Sequence, residues 1–501
     1  MNTQPDATAA PDVRPVGIVG VGAAAPSLRL AAKEPAAAWG SGGGRGSVAV
    51  CDADEDTLTL AWRAATSAME AAGVRAADVA GLWWGTSRPP FAEGPSHAFL
   101  STALGCSAQV GGALCSGSPH AGMEALLGAW DAVASGHVAL ALVVCSDALL
   151  PGIGTAGEAS TGAGALAVVL SGPGHNGAAA PARLVGRVTT AMAVVDRYRG
   201  DAEAATGDAY DGRLFREEVF LPLLARAGKA LAKPAGWSVS DPDGKLGGAL
   251  AKALGAPLVS TNAYAAVGDT GAAAALLGAG QALGQPGTLG IIGYGGGRAT
   301  AVAVEVTRPV PGAENVAGAL AGGQAVGYVA ALRSRGQLVA QSDPIPMGVP
   351  PGSAAFVRGN LEMLALLGAR CRACATVSTP PSIHPTCTGC GGSDLEIVSL
   401  ARRGTVQTFV VNQTMPPPFQ APLPLVVVDL DDGARLMVQG TSADAAELAI
   451  GDTVVLGLRR YAVERGVPVY GYKAFRVAPA TGDDAADSDV ATMTSTRKVA
   501  P

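Results

Sequence analysis

Gly112-Ala113-Leu114-Cys115-Ser116-Gly117-Ser118-Pro119-His120-Ala121-Gly122-Met123-Glu124-Ala125-Leu126 puts a cysteine among small residues at the mouth of a helix. Ser118 is a good N-cap and Pro119 suits a first helical position, so the spacing predicts an apolar helix over about 119–135, stopped by Gly136. Cys115 then lies at or just before the positive end of that helix. There the macrodipole and free backbone N–H groups favour a thiolate and offer donors to an oxyanion. The unbroken apolar run from His137 to Asp147 reads as a buried strand. Most lone cysteines are small buried hydrophobes, and local sequence alone leaves nucleophile and core residue open.

Other segments fall in an order that narrows the choice. Val16-Gly17-Ile18-Val19-Gly20-Val21-Gly22-Ala23 reads as a first strand. Asp52-Ala53-Asp54-Glu55-Asp56 is an acidic entry to a helix carrying Leu58, Ala61, Trp62, Ala65, Met69 and Ala72 at helical spacing, which ends at Gly73. Gly268-Asp269-Thr270-Gly271-Ala272-Ala273-Ala274 and Gly293-Tyr294-Gly295-Gly296-Gly297 follow as Gly-rich loops. Together with the Cys115 region, these segments resemble the thiolase superfamily over roughly residues 14–310, in particular 3-hydroxy-3-methylglutaryl-CoA (HMG-CoA) synthases and ketoacyl-ACP synthase III. The resemblance implies a duplicated α/β fold, Cys115 as nucleophile, an acyl-CoA or acyl-carrier-protein thioester as substrate, and a homodimer. It also places substrate binding at the turn Gly295, Gly296 and Gly297. The turn-into-strand pattern from Gly293 to Val304 echoes that from Thr161 to Leu170, as two similar halves would.

The departures from the family are specific. The five histidines are at 97, 120, 137, 175 and 384, so the family's second-half histidine is missing. Ser87 stands in the loop where the synthases carry a glutamate, and Asp269 replaces the asparagine of the resembled GNT loop. Asp269 is the candidate general base, with a turn or cap role as its alternative. His120, five positions from Cys115, projects about 140° away on a helix and is a weaker catalytic candidate. His97 has no assigned role. These losses argue against HMG-CoA synthesis itself and leave acyl transfer open with other groups. The alternatives are a carbon–carbon lyase working in the retro-aldol or retro-Claisen sense, and a non-catalytic partner that retains the fold.

Composition bounds the class. The chain has 501 residues, 49% hydrophobic and 15% charged, with net charge −6, which indicates compact domains and no basic surface for nucleic acid. Met1 to Arg14 lacks the pattern of a signal peptide, and no apolar run is long enough to span a membrane, so a cytoplasmic protein is expected. The organisation reads as a tail (1–14), two thiolase-like halves (15–175 and 183–310), a connector (311–365) containing a short helix over about 354–367, a zinc ribbon (366–400), a barrel (401–478) and a polar tail (479–501).

The ribbon rests on Cys371-Arg372-Ala373-Cys374 and Cys387-Thr388-Gly389-Cys390, two CxxC knuckles twelve residues apart. Four thiolates suit a tetrahedral, structural Zn(II) with no open position, and His384 reads as a bystander. Five short strands follow, at about 404–411, 425–430, 434–440, 452–458 and 470–477, as in an OB-fold. A zinc ribbon followed by an OB-fold resembles the module that accompanies thiolase-like acyl-CoA enzymes. The overall expectation is therefore a cysteine-dependent acyltransferase in specialised biosynthesis.

Overall fold

The computed structural model describes residues 14–40, 46–173, 179–200, 204–208, 212–338, 361–415, 419, 421–464 and 467–477. Residues 1–13 and 479–501 of the expected tails, His175, and residues 339–360 of the connector, which include the first part of the helix expected over about 354–367, lie outside the described residues. Within that connector, residues 361–364 are helical and a strand begins at Leu367. The chain divides into two compact units, one on either side of residue 342.

The first unit is built on a nine-stranded sheet. Its N-terminal half supplies β1 (Val16–Ala24), β4 (Gly81–Gly85), β5 (Gly111–Cys115), β6 (Leu140–Ala148) and β7 (Ala163–Ser171). Two short strands, β2 (Leu28–Ala31) and β3 (Ser47–Val50), pair with each other, and β14 (Gln324–Val326) joins β2 to complete a separate three-stranded sheet. The C-terminal half supplies β8 (Ala182–Ala191), β11 (Gly236–Val239), β12 (Gly287–Gly295) and β13 (Arg298–Val306), after a two-residue pair, β9 (Arg197–Tyr198) and β10 (Gly207–Asp208). The order is β11-β12-β13-β8-β1-β7-β6-β4-β5.

That order exposes the duplication. In the first half β4 and β6 are parallel, while β6–β7 and β7–β1 are antiparallel. In the second half β11 and β12 are parallel, while β12–β13 and β13–β8 are antiparallel. The echoing turn-into-strand segments become β7 and β13, which hold the same place in each half. One strand breaks the match. β5 runs parallel to β4 over five residues, whereas its counterpart beside β11 has shrunk to a single bridge, Trp237 with Leu258.

Local chemistry sets the helices as well as the strands. After α1 (Lys33–Ala38), helix α2 (Thr57–Ala72) opens on Asp56, whose carboxylate accepts from the Leu58 and Thr59 N–H groups. The Thr59 hydroxyl accepts in return from Asp56 N–H at 2.9 Å, a reciprocal cap worth about 1 kcal/mol. Gly73, at φ 64°, stops the helix in the left-handed conformation. α3 (Ser96–Leu104) and α4 (Ala121–Ala134) complete the first half. In the second, α5 (Gly212–Leu214) runs through a π-helical stretch, Phe215–Phe220, into α6 (Leu221–Lys229), followed by α7 (Leu246–Leu254), α8 (Thr261–Val267) and α9 (Ala274–Gly280). One core joins Met123, Leu126 and Val133 of α4 to Val143, Leu166, Val302, Val304, Leu276 and Leu277. The two halves therefore bury their apolar faces against each other.

In the second unit, β15 (Leu367–Cys371), β16 (Val377–Ser378) and β17 (Leu395–Ser399) form a three-stranded sheet that carries the cysteine knuckles. Beyond it β18 (Arg403–Asn412), β19 (Leu423–Leu430), β20 (Arg435–Gly440), β21 (Thr453–Glu464) and β22 (Val467–Arg476) close a barrel in the order β18-β19-β20-β22-β21. Its interior holds Val406, Val426, Val428, Val454, Leu456 and Leu458 from alternating positions. The α/β fold with a C-terminal OB barrel matches the sequence expectation.

Candidate active site

Cys115 ends the edge strand β5, and its thiol is half-buried. It stands beside Gly85 in the sheet, with Cys145 of β6 on Gly85's other side. Gly85 is required there, because a Cβ would lie 2.4 Å from the Ala121 carbonyl at the start of α4. Gly122 is required for the same reason on the helix's other flank, where a Cβ would lie 2.0 Å from the carbonyl of Ala272. The first turn of α4 is thus wedged between the two halves.

The helix starts later than its sequence suggests. Ser118 and Pro119 lie in a turn before Ala121, although the Ser118 hydroxyl does accept from His120 N–H at 3.2 Å. Cys115 is therefore six residues ahead of the helix, and burial, assisted by Glu124, pushes its thiol up to about 11. Burial thus opposes the thiolate that the helix macrodipole was expected to favour.

A fully buried carboxylate near the end of β6 gathers two loops onto that strand. Asp147 Oδ2 accepts from the Ser87 hydroxyl at 2.6 Å, from Ser87 N–H at 3.3 Å and from Ala272 N–H at 3.0 Å, while Oδ1 accepts from the Thr86 hydroxyl at 3.2 Å. Burial raises its pKa, and these donors together with Arg88 oppose that rise. Thr86 N–H in turn donates to the Cys115 carbonyl at 3.1 Å, so the Cys115 backbone is tied to the same junction. Ser87, which the sequence resemblance sets where the synthases carry an acid, is itself bonded to one.

Asp269 is stitched into the first half. Its N–H donates to the Ser160 carbonyl and its carbonyl accepts from Gly162 N–H, both at 2.8 Å. Its carboxylate accepts from Gly271 N–H at 2.9 Å and from Arg197 at 3.0 Å. Both oxygens are engaged, an arrangement that suits the turn role as directly as the base role. His120 is fully buried, with Nε2 2.8 Å from the Thr300 hydroxyl and Nδ1 3.3 Å from Glu124. It links α4 to β13 across the two halves. The turn Gly295, Gly296 and Gly297 packs on the nucleophile loop, since a Cβ on Gly295 would lie 2.4 Å from His120 N. His97 bonds the Leu82 carbonyl through Nε2 at 2.9 Å. Asp147 and Arg197 escaped the sequence reading because their partners lie 60 to 125 residues away in the chain.

In the second unit, the four Sγ atoms of Cys371, Cys374, Cys387 and Cys390 lie within 4.8 Å of one another and could hold a metal ion. Cys371 and Cys390 are 3.6 Å apart and Cys374 and Cys387 3.4 Å, near the roughly 3.8 Å edge of a tetrahedron with 2.3 Å Zn–S bonds. Gly389 and Cys390 N–H groups donate to Cys387 Sγ at 3.3 and 3.5 Å, as donors around a thiolate would.

The sheet order and duplicated halves define a thiolase-type fold joined to an OB-fold module. Among solved structures, MvaS in complex with 3-hydroxy-3-methylglutaryl coenzyme A superposes with a TM-score of 0.57 at 22% identity, covering 68% of this chain and 96% of that one. The curacin biosynthetic pathway HMG synthase in complex with acetyl donor-ACP gives 0.55 at 17% identity, over 64% and 88%. In sequence the chain is similar to hydroxymethylglutaryl-CoA synthase of Pyrococcus horikoshii, 32% identical over 159 residues, and to that of Caldivirga maquilingensis, 28% identical over 321. These alignments cover 32% and 59% of this chain, and 45% and 89% of the relatives. The chain thus spans just under half the length of the first of these relatives. Residues 398–459 match the family described as ChsH2, C-terminal OB-fold domain.

Burial lowers the pKa of His120, with Glu124 opposing, so the unfolded chain binds this proton more readily than the folded one. Stability should be greatest above the ordinary imidazole pKa of about 6.5 and should fall as pH drops below it. Urea unfolding at pH 7.5 and 5.5 should show that loss, and His120→Asn should reduce it.

Proposed function

We propose that this chain is an acyl-transfer enzyme of the condensing type. Cys115 takes an acyl group from a coenzyme A or carrier-protein thioester and passes it to a second substrate in specialised biosynthesis. The observation that carries the reading is a half-exposed thiol at the end of β5, on a loop braced by both halves of the duplicated fold. The names of the relatives and of the two superposed structures, with their HMG-CoA and acetyl donor-ACP, support thioesters as donors.

Chemically, the Cys115 sulfur attacks the thioester carbonyl as its proton leaves, the carbon–sulfur bond to the donor breaks, and the donor thiol departs. With a thiol pushed up to about 11, proton removal has to accompany attack at neutral pH. Asp269, His120 and Ser87 remain candidates for assisting it, with the Gly295–Gly297 turn as a wall of the substrate site. The homodimer would form along β5, the outermost strand, whose Gly111, Gly112 and Ala113 are exposed and suit pairing with a second copy. The lack of any histidine between 176 and 383 favours a second reading, a carbon–carbon lyase on the same fold.

Incubation with a panel of acyl-CoAs followed by intact-mass measurement decides between them. Acyl transfer predicts an acyl-sized gain that disappears in Cys115→Ala. A folded protein that gains no mass from any donor contradicts transfer and leaves the lyase or a non-catalytic partner.

Cys371, Cys374, Cys387 and Cys390 would hold a structural zinc, since four thiolates leave no coordination position for a reactant. Elemental analysis of the purified protein should find about one zinc per chain. The double substitution Cys371→Ser with Cys387→Ser should abolish it and lower the thermal stability of the ribbon.

A further inference from the structure

A second site in the first unit is built and unexplained. Past the C-terminal end of β11, Val239, Asp241, Ser260, Tyr264, Val267 and Thr270 line a small cleft between β11 and helices α8 and α9. Asp241 is 5% exposed and Thr270 1%. Asp241 Oδ1 and the Thr270 hydroxyl, both buried against this cleft, have no hydrogen-bond partner. Leaving such atoms unpaired in the interior costs free energy, so a cleft that keeps two of them is suited to a polar reactant.

Asp241 is not alone. Its carboxyl meets that of Asp243, and it accepts from the backbone N–H of Gly247 at the start of α7. Two like charges held close together favour uptake of a proton by one of them. Asp243 accepts from Lys245 N–H at 2.9 Å and from Leu246 N–H at 3.0 Å, which fix its carboxyl group at the start of α7. Burial first, and Asp243 second, push Asp241 up to about 6. The other titratable groups facing it are Tyr264 of α8, whose pKa is raised mainly by burial and further by Asp269, Asp241 and Asp243, and Asp269 itself, which Arg197 neutralises. The cleft's walls also reach the nucleophile loop. Ser240 Oγ accepts from Tyr294 N–H at 3.3 Å, next to the Gly295 that packs on Pro119 and His120, and Thr270 is two residues from the Ala272 that abuts Gly122.

We infer that the carboxylate of Asp241, past the end of β11 and facing Thr270 across the cleft, is the group that takes the proton from the acyl acceptor in this protein, in place of a histidine. The inference rests on the acyl-transfer reading. In the step, the acceptor's O–H or N–H gives its proton to Asp241 Oδ1 while its lone pair attacks the acyl carbonyl carbon. The carbon–sulfur bond then breaks, the Cys115 sulfur leaves with that electron pair, and it recovers a proton from Asp241 or solvent. Thr270, on the facing wall, orients the acceptor.

The test uses the full chain, acetyl-CoA as donor and water as acceptor. Asp241→Asn should form the acetyl-enzyme as the native protein does but hydrolyse it at least about 10-fold more slowly, and the pH dependence near 6 should vanish. Hydroxylamine, a nucleophile strong enough to need no base, should cleave both acetyl-enzymes alike. Hydrolysis of the Asp241→Asn acetyl-enzyme at the native rate overturns the inference. If that variant does not fold, Asp243→Asn serves, since loss of the neighbouring charge should move the pH midpoint of hydrolysis downward and an unmoved midpoint overturns the pairing. Infrared titration of the unacylated protein separates the two proposals. A protonated carboxyl band lost near pH 6 supports the pair even if no acyl-CoA ever loads Cys115, and its absence overturns the pair whatever Cys115 does.

Discussion

The buried carboxylate of Asp147 is the constraint on which the site depends. A charge removed from water is tolerated only when its lone pairs are met, and those of Asp147 are met by Thr86 and Ser87 from the loop after β4 and by Ala272 from the second half. None of these donors is local. The carboxylate therefore fixes three segments at once, and the Thr86 bond to the Cys115 carbonyl passes that fixity to the nucleophile. Removing the charge would leave four donors facing a weaker acceptor in the interior.

Duplication gives the molecule two equivalent strand ends, and the two halves have used them differently. Ser87 lies two residues past the end of β4, and Asp241 lies two residues past the end of β11, its counterpart. In the first half an extra strand, β5, continues the sheet and ends in Cys115. In the second, that strand is reduced to the Trp237–Leu258 bridge, and a cleft with a carboxyl pair stands at the strand's end. In the proposed reaction the sulfur of one half would be the nucleophile and the Asp241 carboxylate of the other the proton acceptor.

What the sequence made legible was short-range. The acidic entry to α2 is read from Asp52 to Asp56, the helix stop from Gly73, and the cysteine cluster from two knuckles, because each is set by residues within a few positions of one another. Four of the five barrel strands were likewise found within three residues of their ends, as alternating apolar runs bounded by turn residues, while β21 runs six residues further than expected, to Glu464. The start of α4 was misplaced by two residues because Ser118 and Pro119 carry an N-terminal signature yet sit in the preceding turn, where packing of α4 against Gly85 and Ala272 sets the boundary. Asp241 was invisible for a different reason. Ser-Asp-Pro-Asp-Gly reads as an ordinary turn, and only the fold brings Thr270 and Tyr264 to its other side. The partners of His120 were hidden in the same way, with Thr300 lying 180 residues away.

Hydrogen–deuterium exchange on Asp147→Asn tests this account most directly, because the amide keeps the shape and removes the charge. The account predicts that peptides covering 85–89 and 269–274 lose protection together, while the barrel strands stay as protected as in the native chain. Unchanged protection in both peptides would contradict it and would mean that the nucleophile loop is held by packing alone.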